Sequence, residues 1–151
     1  MKQALILLSM IALSWGQVKV TIETIPPEAT VTIDGAKVGE TPLNDLSLTP
    51  GKHIFRIKLE RYSPIHYETY LLAAEKATLR FRLKERFNVK FISEVPEYNY
   101  RFDQKYPWFE EKMKFEMEAG RHDLEIFDGD SLVDRKSILI DQNTTIHYSL
   151  E

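Results

Sequence analysis

The chain has 151 residues, 20 Lys+Arg against 23 Asp+Glu, a formal net charge of −3 and no cysteine. One ordinary domain or two very small ones fit that length, and 43% apolar with 28% charged residues excludes both a disordered chain and a multi-span membrane protein. The absence of a Lys/Arg cluster argues against nucleic acid as a partner, and zero cysteine excludes disulfides, thiolate catalysis, Cys-ligated zinc and lipidation on a cysteine.

Residues 1–16 read as an address. Lys2 supplies a positive charge, Ala4 to Leu13 is apolar apart from Ser9, and Ser14-Trp15-Gly16 places small residues at −3 and −1 of a cut after Gly16. That is the order of a secretory signal peptide. The apolar run is about ten residues, whereas a membrane span needs about 20. A mature chain starting near Gln17, with a net charge of −4 and no membrane span, is expected. The expected location is exported: periplasm, cell envelope or extracellular.

The next segments alternate with a period of two, as half-buried strands do. Val18, Val20 and Ile22 alternate with Lys19, Thr21 and Glu23, and Ala29, Val31 and Ile33 with Thr30 and Thr32. Phe55, Ile57 and Leu59 do the same with Arg56 and Lys58, as do Leu79, Phe81 and Leu83 with Arg80 and Arg82. Turn chemistry separates them at Pro26-Pro27, Asp34-Gly35, Thr41-Pro42 and Pro50-Gly51. Ala73-Ala74-Glu75-Lys76 is too short to be more than a turn. The expected class is all-β, with two tandem small antiparallel β-sandwich units.

The expectation of two units rests on an internal repeat. Val18-Lys19-Val20-Thr21-Ile22 aligns with Phe87-Asn88-Val89-Lys90-Phe91 at an offset of 69. The same offset brings Asp34 onto Asp103, Gly51-Lys52-His53 onto Gly120-Arg121-His122, and Phe55 and Ile57 onto Leu124 and Ile126. Thr78-Leu79, Phe81 and Leu83 align with Thr145-Ile146, Tyr148 and Leu150 at an offset of 67. A first unit over residues 17–84 and a divergent second over 85–151 follow, with little freedom at Lys84-Glu85-Arg86, which holds neither Gly nor Pro. Met113, Phe115 and Met117 alternate as another strand.

Ile25-Pro26-Pro27-Glu28-Ala29, the strand to Asp34-Gly35, Gly39-Glu40-Thr41-Pro42 and Pro50-Gly51 stand in that order. This resembles the PEGA domain of bacterial and archaeal surface and envelope proteins, over about Val18 to Leu83. The resemblance implies a small β-sandwich serving as an accessory module in exported chains, with no shared ligand or reaction. Its motif residues here are Pro27, Ala29, Asp34, Gly35, Gly39, Thr41, Pro42, Pro50 and Gly51. Glu60-Arg61-Tyr62 departs from the family's Gly-Tyr. The second unit keeps Pro96, Asp103 and Gly120 but has Gln104 for Gly35, Trp108 for Gly39 and no Thr-Pro, so it is similar only as a degenerate copy.

These residues shape backbone. Asp-Gly suits a tight hairpin, Thr-Pro an extended crossing between sheets, and Pro-Gly the centre of a type II turn. No catalytic residue, metal ligand or cofactor is expected. The four histidines lack zinc-binding spacing, and His53 and His122 read as structural residues at strand starts. Asp128-Gly129-Asp130 has the acid density of a calcium loop without its spacing and falls where a hairpin turn is expected. Tyr98, Tyr100 and Phe102 fall on the inward positions Ala29, Val31 and Ile33. Tyr106, Trp108 and Phe109 are the candidate ligand-binding residues: they stack on a sugar or anchor a partner, or they plug the groove between the copies. The expected function is a non-enzymatic binding or scaffolding module of the bacterial cell envelope, with an envelope protein or cell-surface polysaccharide as partner. The alternative is a carbohydrate-binding accessory protein using the loop Tyr106 to Phe109.

Overall fold

A computed structural model describes residues 16–73, 76–105 and 107–150. The expected leader up to Trp15, Tyr106, and Ala74-Glu75 of the expected turn lie outside the described residues.

Thirteen strands and no helix are found among the described residues. They are β1 (Val18–Ile25), β2 (Thr30–Ile33), β3 (Ala36–Glu40), β4 (Leu43–Leu48), β5 (Gly51–Lys58), β6 (Ile65–Leu71) and β7 (Lys76–Arg82). There follow β8 (Arg86–Ser93), β9 (Tyr98–Phe102), β10 (Lys112–Glu118), β11 (Gly120–Asp128), β12 (Ser131–Ile140) and β13 (Thr144–Tyr148). The chain divides into two compact units, one of residues up to Arg56 with His66–Phe81, the other of Ile57–Ile65 with the residues from Arg82.

In the first unit β4-β1-β7 form one sheet and β3-β2-β5-β6 another. The alternation read from the sequence is the buried face: Val18, Val20 and Ile22 of β1 and Val31, Ile33 and Phe55 of β2 and β5 are all but fully buried. Phe55, Tyr67 of β6 and Phe81 of β7 follow one another at ring separations of 6.4 and 5.4 Å. The β1–β4 register shifts between Val20 and Ile22, beside Asp45 at φ +51°. Thr41-Pro42, a cis peptide, carries the chain from one sheet to the other.

The second unit repeats this order. Sheet β10-β8-β13 corresponds to β4-β1-β7, and β12-β11-β9 to β6-β5-β2. Both sheets contribute to one core: Val89, Phe91, Met117 and Tyr148 from the first, Tyr100, Phe102, Leu124, Ile126 and Ile140 from the second. One pairing departs from the antiparallel expectation, since β13 lies parallel to β8, Ile146 beside Phe91. Alternation sets which face a strand buries but not its direction, which the connection from β12 decides. The segment Lys84 to Arg86 is held within this unit, Ser63 N–H donating to the Lys84 carbonyl (2.8 Å) and Arg86 N–H to that of Arg61 (2.7 Å).

Candidate functional site

The repeat is visible at the level of single bonds. Asp34 ends β2 in a left-handed conformation, φ +51°, followed by Gly35 at +89°. Its Oδ1 accepts from the Ile54 N–H at 2.8 Å and its Oδ2 from His53 Nδ1–H at 2.6 Å. His53 Nε2–H donates to the Thr49 carbonyl at 2.8 Å. In the second unit Asp103 (φ +49°) accepts from Asp123 N–H at 3.0 Å and from His122 Nδ1–H at 2.6 Å, and His122 Nε2–H donates to Glu118 at 2.8 Å. The offset of 69 therefore superposes an Asp–His clamp that ties the β2 or β9 end to the start of β5 or β11.

Acceptors at both ring nitrogens of His53 favour its imidazolium form. Burial alone lowers the affinity of His53 for a proton, but the Thr49 carbonyl and the Asp34 carboxylate outweigh it and raise the pKa above 6.5. Asp34 is held below 3.8, first by the Ile54 N–H and then by His53. Asp103 is also lowered: burial opposes ionisation, and the His122 and Asp123 donors overcome it. These hydrogen bonds engage both ring nitrogens of His53 and of His122 within the fold.

Several of the family-like residues of the first unit bear on backbone geometry. Thr41, buried, accepts the Ala29 N–H on its hydroxyl (3.1 Å) and shares a hydrogen bond with Thr24. Gly39 sits at φ +148°, and a Cβ there would lie 2.9 Å from Leu43 Cδ2. Gly51 has φ +133°, beyond the roughly +80° of an ideal type II turn, and already belongs to β5. Pro27 precedes β2, and Pro50 precedes β5.

Trp108 takes the place of Gly39 in bonding as well as in alignment. Val31 pairs with Gly39 in the first unit, and Tyr100 with Trp108 in the second, through two N–H···O bonds of 2.9 Å. Among the described residues no full strand replaces β3 there. The indole lies among aromatic rings of its own unit, stacked on Phe102 at 5.6 Å and edge-on to Phe91 at 5.4 Å, with Tyr100 and Phe115 within 6 Å. Its Nε1 is buried without a hydrogen-bond partner among the described residues. Phe109 is 67% exposed. Of the candidate ligand residues, then, the ring of Trp108 joins the core of the second unit and Phe109 faces outward. Trp108 also lines an open hollow of ≈ 250 Å³ together with Phe102, Met113 and Phe115.

Sequence reasoning missed a cross-strand charge triad. Glu125, on β11 between two inward residues, is only 2% exposed. Arg101 on β9 and Arg135 on β12 flank it in register and bond it at 2.7 and 2.5 Å. The first of these, followed by Arg135, lowers its pKa against the opposing effect of burial. Arg101 also lies 4.8 Å from the Phe127 ring centroid. Glu125 and Arg135, opposite charges facing each other across a hairpin turn, are the signal that could have found it. Asp128-Gly129-Asp130 forms that turn, Gly129 at φ +57°. Among the described residues no group of three or more His, Cys, Asp or Glu is placed to hold a metal ion, and no helix is long and apolar enough to cross a membrane.

These features define a small β-sandwich module whose distinctive residues set backbone geometry, followed by a second unit of the same strand order. Residues 17–86 match the PEGA domain, and the chain carries a PEGA domain over that span. Residues beyond 86 lie outside the match, so the second unit is tied to the first by strand order and by the repeated clamp. No curated protein matches the chain. Among solved structures it is similar to the Bacillus anthracis TIE protein, with 10% identity and a TM-score of 0.36. That similarity covers 88% of this chain but only 33% of the other.

Proposed function

We propose that this protein is an exported, non-enzymatic binding or scaffolding module of the bacterial cell envelope. The observation that carries the reading is the double engagement of His53 and His122, whose ring nitrogens all serve the fold. The PEGA match supports the module class, and the leader-like residues 1–16 support export. The exposed Phe109, next in sequence to Trp108, which lines an open hollow, favours a second reading, in which this edge takes a sugar ring or a protein side chain.

The test is expression of the full chain in a bacterium, with fractionation and mass measurement of the product. Recovery outside the cytoplasm with a start at Gln17 is the expected result, and a retained Met1 on a cytoplasmic product overturns export. Retention on envelope fractions, compared between wild type and Phe109→Ala, separates the two readings. A loss confined to the variant assigns binding to this edge.

A further inference from the structure

The outward face of sheet β10-β8-β13 carries an uncompensated positive charge. Val89, Phe91 and Met117 point into the core, which leaves Asn88, Lys90, Lys112, Lys114, Thr145 and His147 exposed. Register places Lys90 directly opposite Lys114 on one side and Thr145 on the other. One rung away, Ile92 stands between Lys112 and His147. Like charges directly opposite across an antiparallel pair are destabilising.

Several other charges of this unit are paired. Glu125 is held between two arginines, Arg86 takes Glu116 at 2.7 Å and Lys84 takes Glu118 at 3.1 Å. The nearest rung acid, Glu116, is thus engaged elsewhere. Among the described residues, Lys90, Lys112 and Lys114 form no ion pair. The first unit handles the corresponding face differently: Asp45 stands where the second has Lys114, and Arg80 is bonded to Glu23 at 2.7 Å.

Beside the Lys90–Lys114 pair lies an open hollow of ≈ 470 Å³, lined also by Asn88, Asn143 and Thr145. Asn143 Oδ1 accepts the Asn88 N–H at 2.8 Å, which fixes the carboxamide with its NH₂ free to donate. Two ammonium groups, an oriented amide and a hydroxyl then offer donors only partly used by the protein.

We propose that this hollow is a binding site for a phosphate group, with Lys90 and Lys114 supplying charge and Asn143 and Thr145 neutral donors. This deepens the binding role proposed above by naming a ligand class. It needs neither export nor the loop at Phe109, so its failure leaves the localisation result standing. The phosphate can belong to a free anion or to a polymer. Lys112 and His147 lie two residues along the strands, about 7 Å away, where they would meet a further group of a polymer.

The test is amide-resolved NMR of the whole protein, titrated with inorganic phosphate at constant ionic strength and then with long-chain polyphosphate. Saturable shifts at residues 88–90, 114 and 143–145 are expected, weakened at least fivefold in Lys90→Gln and in Lys114→Gln. Lys52→Gln, in the other unit, should bind as the wild type does. Tenfold tighter binding of polyphosphate, reduced by Lys112→Gln, assigns a polymer; equal affinity per phosphate assigns the free anion. Sodium chloride reproducing the same shifts, or Lys114→Gln binding as wild type, overturns the site. Because these side chains are exposed and Lys90 and Lys114 repel each other, the variants should melt no lower than the wild type, which excludes misfolding as the cause of lost shifts.

Discussion

Trp108→Ala tests the placement of the indole. Truncating a fully buried large aromatic costs about 3–5 kcal/mol. Trp108 falls short of full burial, and its Nε1 has no partner among the described residues; a buried unsatisfied donor is worth about 1–3 kcal/mol of destabilisation. Against that stand four ring contacts between 5.4 and 5.9 Å, each contributing about 0.5–1.5 kcal/mol beyond area burial. The ring contacts are already part of the figure for full truncation, so incomplete burial and the orphan donor bring the net loss expected for the second unit to about 2–4 kcal/mol. Trp108→Phe keeps a ring among the same neighbours and removes the orphan donor, so it should stay within about 1 kcal/mol. Trp15 and Trp108 are the two tryptophans, so a chain starting at Gln17 has a single indole fluorophore. Urea unfolding followed by circular dichroism gives the stabilities, and acrylamide quenching of the wild type reports access to the ring. An alanine variant within about 1 kcal/mol of wild type refutes the core role. A phenylalanine variant as weak as the alanine one refutes the reasoning about the indole N–H.

Three further outcomes are expected. The raised pKa of His53 means that its stabilisation is complete below about pH 6.5 and is lost as pH rises through the folded value, while that of Asp34 is lost as pH falls through its lowered value. The urea midpoint should therefore fall on the alkaline side, and His53→Gln should flatten that slope; an unchanged slope in the variant counts against the clamp. Thr41→Val leaves the buried Ala29 N–H without its acceptor and should lower stability by about 1–3 kcal/mol, measured by the same melts. Gly39→Ala meets only the end of the Leu43 side chain, so its loss, about 1–2 kcal/mol, comes from the left-sided φ of +148°; a neutral effect shows that the backbone relaxes.

Strands with one buried and one wet face were legible, and strands without a buried face were not. Val18 to Ile22 and Phe55 to Ile57 announced themselves by alternation because every second side chain enters the core. β3, Ala36–Glu40, is an edge strand with no buried residue, so nothing in its sequence had to alternate. β4 spaces Leu43, Leu46 and Leu48 unevenly because the β1–β4 register slips, which breaks the period that a reader looks for. β6 buries only Leu71. At the candidate site, the equivalence of Trp108 with Gly39 was legible from the offset alone. Where the indole goes was not, since the offset fixes backbone register and leaves the direction of a side chain with no counterpart to packing.

The Asp–His clamps close segments of 19 residues in each unit in a chain that has no cysteine. A disulfide over a comparable span restricts the unfolded chain, by about 3 kcal/mol for a 15-residue loop, and it must find an oxidant before it acts. The clamp forms and dissolves with the fold itself and needs no partner enzyme or redox couple. Reductants should therefore leave both units untouched, and their folding should proceed alike in a reducing or an oxidising compartment. Proton concentration is the solution variable to which these closures answer.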